Sequence, residues 1–426
     1  MADDRQDFPP LPPWFRSPLG QFAAALAAVG LFACYWFFQV APLISDVYRG
    51  QHTGIVGFAS HQADYKHLYL GSKLLGAGLS PYDDAAMIAT AGEYSQTVDV
   101  RFRGILPYVY LPFTGLVMTP LTALPFAWSA VAFQFVNHLA ILGGLLIAGA
   151  ACRWRHDFWS VAILVAMAAF NGTVWRQNDA GQLNAILFLG MAVLYLALVR
   201  GWHDSLIGFV AAFLAMFKLT PGIFLIWFLL RGEYRRAAWM AGMMAGMVAI
   251  GVGTFGLDRH LEFLPVLRDM GYGRSTWAEH GQTFFRDTFN QSFNALFHRQ
   301  LGGSPTLANG LTWVASLSIL GLFAWHGIRR RGAPLGASFS AAVAVSLLVP
   351  SILWDHYLVQ LLLPIVILAT TARGWRLWSL VACAALVSVW IPFDDMAPNS
   401  VLQNAKLLPV LWVFGMAVWS GASREE

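Results

Sequence analysis

Gln21–Ile44 reads QFAAALAAVGLFACYWFFQVAPLI, an uncharged run of about 24 residues. A helix of about 20 apolar residues, rising 1.5 Å per residue, crosses the hydrocarbon core of a bilayer. A secretory signal has an apolar stretch of roughly 7–15 residues followed by a small-residue cleavage site. This run is longer and shows no such site, so it predicts an uncleaved first transmembrane helix. Similar runs follow at roughly 127–150, 157–171, 183–199, 237–256, 306–327, 335–350, 357–372, 376–392 and 402–420. Several are shorter than a straight span and must extend into their flanks or end at a thinned or wet site. Two more stretches read as broken, partly inserted elements. One is 112–124, interrupted at Pro112 and Pro120 and closed by Pro125. The other is 206–230, interrupted at Lys218-Leu-Thr-Pro221. Interrupted backbone at membrane depth is tolerated where protein or water satisfies it, which usually means beside a site.

The composition agrees. Of 426 residues, 57% are hydrophobic and 12% charged, against about 25% charged for a soluble domain; mean hydropathy is +0.56. An ordinary cytosolic enzyme, a disordered chain and a nucleic-acid binder are excluded. The predicted fold is an all-α polytopic membrane protein of about 10–13 transmembrane or partly inserted helices, a single domain over 1–426. A transmembrane barrel is excluded because its strands would alternate with period two. Cys34, Cys152 and Cys383 lie in or beside apolar runs and suggest neither a disulfide framework nor a metal site.

Charge predicts orientation. The turns holding Arg153 and Arg155, Arg200, Arg231 with Arg235 and Arg236, Arg329–Arg331, and Arg373 with Arg376 are short and basic. Short basic loops belong in the cytoplasm. The expected topology has both termini cytoplasmic; with the family resemblance described below, it implies a bacterial inner membrane. The long loops 45–111 and 257–305, and the short turns at 172–182, 350–356 and 393–401, then face outward. These outward segments hold nearly all the polar chemistry, including His61, Asp64, His67, Arg101, Arg103, Arg176, Asp179 and Arg286. No phosphate-binding loop or dinucleotide fingerprint is present. An enzyme built this way needs a donor already in the membrane.

The candidate residues fall into five groups. Asp64 and Tyr65, in His61-Gln-Ala-Asp64-Tyr65-Lys66-His67-Leu-Tyr69, place an acid just past the first helix, suited to general-base work. The stretch 65–76 reads as an amphipathic helix, so Asp64 equally suits an N-cap. Lys218 is an intramembrane ammonium, costly unless functional or snorkelling. Trp175-Arg176-Gln177-Asn178-Asp179-Ala-Gly181-Gln182-Leu-Asn184 reads as an amide-rich turn entering a helix. Arg176, Gln182 and Asn184 there suit a sugar or a phosphate. Asn290 opens Asn290-Gln291-Ser292, whose glycosylation-like pattern carries little weight. Pro350-Ser-Ile-Leu-Trp354-Asp355-His356-Tyr357 joins two helices on the outer side. Its Trp354, Asp355 and His356 suit a sugar-phosphate platform, although aromatic-belt anchoring explains the rings equally well. No cluster suggests a metal.

The order of these pieces resembles glycosyltransferase family 87 of the GT-C superfamily. The resemblance runs through Asp64-Tyr65, Ser80-Pro81-Tyr82, Tyr110-Leu-Pro112 with Pro120-Leu-Thr-Ala-Leu-Pro125, and Gly181-Gln182-Leu-Asn184. It continues through Lys218-Leu-Thr-Pro221, Asn290-Gln291-Ser292 and Pro350-Ser…Trp354-Asp355-His356. Each piece is short; their order and placement carry the likeness. Where the family often has Tyr-Pro-Pro, this chain has Tyr110-Leu111-Pro112, a change expected to alter a bend and not the chemistry. The resemblance implies an inverting transferase that moves a monosaccharide, mannose-like or another hexose or pentose, from a polyprenyl-phosphate carrier to a lipid or glycan acceptor on the outer face. It implies Asp64 as the base, and His356, Lys218 and Arg176 as stabilisers of the leaving phosphate. The remaining candidates would bind the donor. No cofactor or metal is expected, and no nucleic-acid partner. Two other readings stand beside it. A lipid-linked glycan ligase would share the architecture. A lipid-sugar flippase or transporter would also use broken helices and an intramembrane Lys, but such proteins usually show internal repeats, and none is evident here.

Overall fold

The apolar runs become helices almost residue for residue. The computed structural model describes residues 17–41, 62–98, 108–154, 158–274, 285–329, 331–396 and 400–420. His61, Arg101, Arg103 and the opening of the 45–111 loop lie outside them. In chain order the α-helices begin with α1 (Pro18–Tyr35), continued to Val40 by a π-helical turn, then α2 (Ala63–Gly76), α3 (Asp84–Val98), α4 (Pro112–Met118), α5 (Phe126–Ala151) and α6 (Phe158–Ala169). Next come α7 (Gly172–Ala180), α8 (Asn184–Arg200), α9 (Asp204–Phe217), α10 (Ile223–Leu230), α11 (Tyr234–Phe255), α12 (Leu257–Leu261) and α13 (Phe263–Asp269). The chain closes with α14 (Phe293–Gln300), α15 (Pro305–Arg329), α16 (Leu335–Leu348), α17 (Leu362–Ala369), α18 (Trp375–Ser388) and α19 (Leu407–Ser420). No strand longer than a single bridge occurs among the described residues.

Four elements are long and apolar enough to cross a membrane: Pro18–Val40, α5, α11 and α15. The α7–α8 pair joins them if its 120° bend is counted within one span. The protein is a polytopic helical membrane protein. Helices that touch lipid need no polar face, and α1 and α11 leave most of their apolar side chains exposed. α16 does the opposite. Ala337–Leu348 are all buried, so a helix apolar nearly all round, with Ser338, Ser340 and Ser346 as its polar groups, forms the middle of the bundle. α8 packs along α5, α9 along α11, and α16 along α19.

The two ends of the bundle differ in chemistry. At one end the short basic turns meet. Arg231 Nε donates to Glu233 (2.8 Å) and Arg231 Nη1 to Ser338 Oγ (2.7 Å), while Arg236 pairs with Glu233 and Asp204. At the other end the two long loops dock on each other. Ser80 Oγ donates to Glu262 (2.6 Å), Arg259 reaches the Gly78 carbonyl (3.3 Å), and the Tyr82 ring lies against Phe263. The Ser80-Pro81-Tyr82 turn is therefore the joint between the loops.

Both interruptions expected from the sequence are present. α4 starts at Pro112, which lacks an N–H that a first-turn residue would leave unused. α9 stops at Phe217, because Pro221 cannot donate to the helix, and Lys218 is extended (φ −154°, ψ 136°). The carbonyls freed at this stop do not go unpaired. Thr114 Oγ1, on α4, donates to Met216 O (3.2 Å) or Phe217 O (3.0 Å). The third break takes a form the sequence did not suggest. The amide-rich stretch read as a turn over 172–182 is mostly a helix, α7 (Gly172–Ala180). Asn171 caps it by accepting from Thr173 N (2.9 Å) and Val174 N (3.1 Å), and Gly181 ends it with φ +70°.

Candidate active site

Four breaks in helix converge on one cavity of about 410 Å³. They are the extended entry to α4 at Tyr110-Leu111, the α7–α8 bend at Ala180–Gln182, the α9 stop at Lys218–Thr220, and the 350–357 segment. The long loops close the remaining side with Phe263, Met270, Asp287 and Phe289. Asp64, Arg176, Gln182, Lys218, Trp354 and His356, singled out in the sequence, line this cavity together.

Asp64 sits in the first turn of α2, where the helix dipole favours a carboxylate. Gln182 Nε2 donates to its Oδ2 (2.5 Å). Among the described residues no hydrogen bond reaches Oδ1. Tyr65, the next residue, points away: it is fully buried, stacked on Phe133 and bonded to Ser129.

Lys218 reaches into the cavity from the α9 stop. Its Nζ donates to Asn184 Oδ1 (3.0 Å) and lies 3.5 Å from the Tyr357 ring centroid. Asn184 is fully buried and also accepts from Gln360 (3.1 Å). It holds the ammonium from behind and does not face the cavity. Among the described residues no carboxylate lies within ion-pair distance of Lys218.

A second charge cluster surrounds Asp355. This carboxylate is 2% exposed and sits behind the cavity wall. It faces Arg176 Nε (3.8 Å), His356 Nδ1 (3.7 Å) and Lys406 Nζ (3.9 Å). Arg176 lies 3.9 Å from the Phe289 ring centroid and 5.3 Å from that of Trp390. The His356 ring lies against those of Trp354 and Tyr357, and among the described residues its buried Nε2 has no hydrogen-bond partner. Lys406, 1% exposed, escaped sequence reading because nothing local distinguishes it.

Asn290 is likewise buried behind the wall. Its Oδ1 accepts from Leu353 N (3.0 Å) and Ser292 N (3.1 Å), and its backbone bridges Trp354. It fixes the 350–357 segment to the second long loop. Among the described residues, no three or more His, Cys, Asp or Glu side chains cluster as a metal site would require.

Fold and cavity define a class: a polytopic helical membrane protein with an acid and several cations gathered where its helices break. Residues 108–351 match the model of glycosyltransferase family 87, and the chain belongs to that family. It is similar to a Mycobacterium tuberculosis (strain CDC 1551 / Oshkosh) protein named polyprenol-phosphate-mannose-dependent alpha-(1-2)-phosphatidylinositol pentamannoside mannosyltransferase. That match is 27% identical over 263 residues, covering 60% of this chain and 57% of the relative. A Mycolicibacterium smegmatis relative of the same name is 26% identical, with 60% of each chain covered. A polyprenol-phosphate-mannose-dependent alpha-(1-2)-phosphatidylinositol mannoside mannosyltransferase from M. smegmatis is 23% identical over 416 residues, covering 90% and 88%. The match thus spans about three fifths of the first two relatives and most of the third.

Proposed function

We propose that the protein transfers a mannosyl residue from a polyprenyl-phosphate carrier to a lipid-linked glycan, with inversion at the anomeric carbon. A phosphatidylinositol mannoside is the first acceptor to test, by analogy with the relatives' names. The observation that carries this reading is the meeting of Asp64, whose Oδ1 is unengaged among the described residues, with Lys218, Arg176 and His356 around one cavity.

The chemistry needs few parts. The acceptor hydroxyl gives its proton to Asp64 Oδ1 as its oxygen bonds to the anomeric carbon. The bond from that carbon to the phosphate oxygen breaks, and the electron pair leaves on the polyprenyl phosphate. Attack from the face opposite the phosphate inverts the configuration. The leaving group needs charge stabilisation more than a strong acid. His356, Lys218 and Arg176 supply it, and losing one such group typically costs about 10²–10³ in rate. Trp354 offers a ring for a sugar face. Asn290, Asp355, Asn184 and Tyr65 act from behind the wall, by holding the segments and cations that touch the donor. The scheme calls for no metal. The cavity end carries the long loops and the other end the short basic turns, which supports a cavity facing the periplasm and cytoplasmic termini.

Purified protein in nanodiscs, given labelled polyprenyl-phosphate mannose and a lipid and glycan extract, tests the reading. Transfer is expected, with Asp64→Asn lowering it by about 10²–10⁴ and His356→Ala by a smaller but clear factor. Full activity in a folded Asp64→Asn protein would remove Asp64 from the chemistry. Scrambling of intact donor between leaflets without transfer would favour a flippase.

A further inference from the structure

Asp64 has two oxygens, and among the described residues only Oδ2 is engaged. Gln182 Nε2 donates to Oδ2 at 2.5 Å, while Gln182 Oε1 accepts from the Tyr110 hydroxyl at 3.4 Å. The amide therefore has one sensible orientation, since turning it over would set its oxygen against a carboxylate and its NH₂ towards a hydroxyl. Gln182 is itself fixed by its backbone. Its N–H donates to Gln177 O (3.2 Å), and its carbonyl accepts from Gln177 Nε2 (2.5 Å). The residue before it, Gly181, has φ +70°, and a Cβ there would stand 2.5 Å from Gln62 Oε1 and 2.7 Å from Tyr65 Cβ. Gln62 and Tyr65 flank Asp64 on α2, so the α7–α8 bend and the start of α2 are fitted to each other at the acid.

We propose that Gln182 and Tyr110 are positioning residues for Asp64: the Tyr110–Gln182 chain occupies Oδ2, fixes the plane of the carboxylate, and leaves Oδ1 as the oxygen that takes the acceptor's proton. This rests on the reading of Asp64 as the base. The neighbouring groups that also bear on Asp64 are Lys218, Tyr110 and Tyr357, with His67 one turn along α2 and Asp179 on α7 lining the same cavity.

The test compares kcat and donor KM in nanodiscs for wild type, Gln182→Met, Gln182→Glu, Tyr110→Phe and Asp64→Asn, with labelled polyprenyl-phosphate mannose as donor. Gln182→Met is expected to lower kcat by about 10- to 100-fold, the loss of one charge-assisted hydrogen bond, with donor KM changed less than about threefold. Gln182→Glu, which replaces the donating amide by a second carboxylate, should lower kcat at least as far. Tyr110→Phe, which keeps the ring, should lower kcat by less, again with donor KM held. An inactive Asp64→Asn beside a Gln182→Met whose kcat holds and whose donor KM rises would overturn the proposal alone, making Gln182 a donor contact. An active Asp64→Asn overturns the base reading and the proposal with it. If Gln182→Met does not fold, an unchanged kcat in Tyr110→Phe decides against the chain.

Discussion

Lys218 shows how much one residue can imply. Among the described residues its ammonium has an amide oxygen and an aromatic face as partners, both neutral. Such a site is incomplete as a charge pair, and a phosphate monoanion would complete it. Lys218→Met is expected to lower kcat/KM by about 10²–10³, with Lys218→Arg restoring part of it; initial rates against donor concentration measure both. Asp355 is the contrasting case. It is already surrounded by Arg176, His356 and Lys406, so its charge is spent on protein groups. Its work is to hold cations in place.

At the scale of elements, the site is made of helix ends. A helix terminus carries unused N–H or C=O groups, and in a membrane these must be met by protein, water or ligand. Thr114 answers the α9 stop, and Asn171 the start of α7. Gly181 closes α7 in the left-handed region, beside Gln62 and Tyr65. Gly181→Ala meets both a backbone and a steric objection and is expected to cost about 1–3 kcal/mol. Thermal unfolding in detergent should fall accordingly. Activity should fall further, because Gln182 moves with the bend. A stability loss without extra loss of rate would separate the bend from the chemistry.

At the scale of the molecule, the bundle has a cavity end and a basic end. Asp83 and Asp84 lie in the first long loop beside the Ser80–Glu262 joint, while Arg235 is largely exposed among the basic turns. In a cysteine-free background, Asp83→Cys is expected to react with an impermeant maleimide from outside intact cells, and Arg235→Cys only after the membrane is opened. The reverse pattern would invert the proposed orientation.

The order of apolar runs, the stops at Pro112 and Lys218-Leu-Thr-Pro221, and the place of Asp64 just past the first helix were legible in the chain. Each is set by local terms: bilayer thickness, proline's missing donor, and the cost of a charge in hydrocarbon. The helix at 172–180 was legible in part, since Asn171 and Gly181 are the cap residues a short helix wants, but its amide-rich composition reads equally as a turn. The partners were beyond local reading. That Lys406 reaches Asp355, that Tyr110 reaches Asp64 through Gln182, and that Asn290 faces inward depend on segments tens to hundreds of residues apart. Only the packing of the bundle brings them together, because an electrostatic contact acts over a few ångströms of space and leaves no periodicity in sequence.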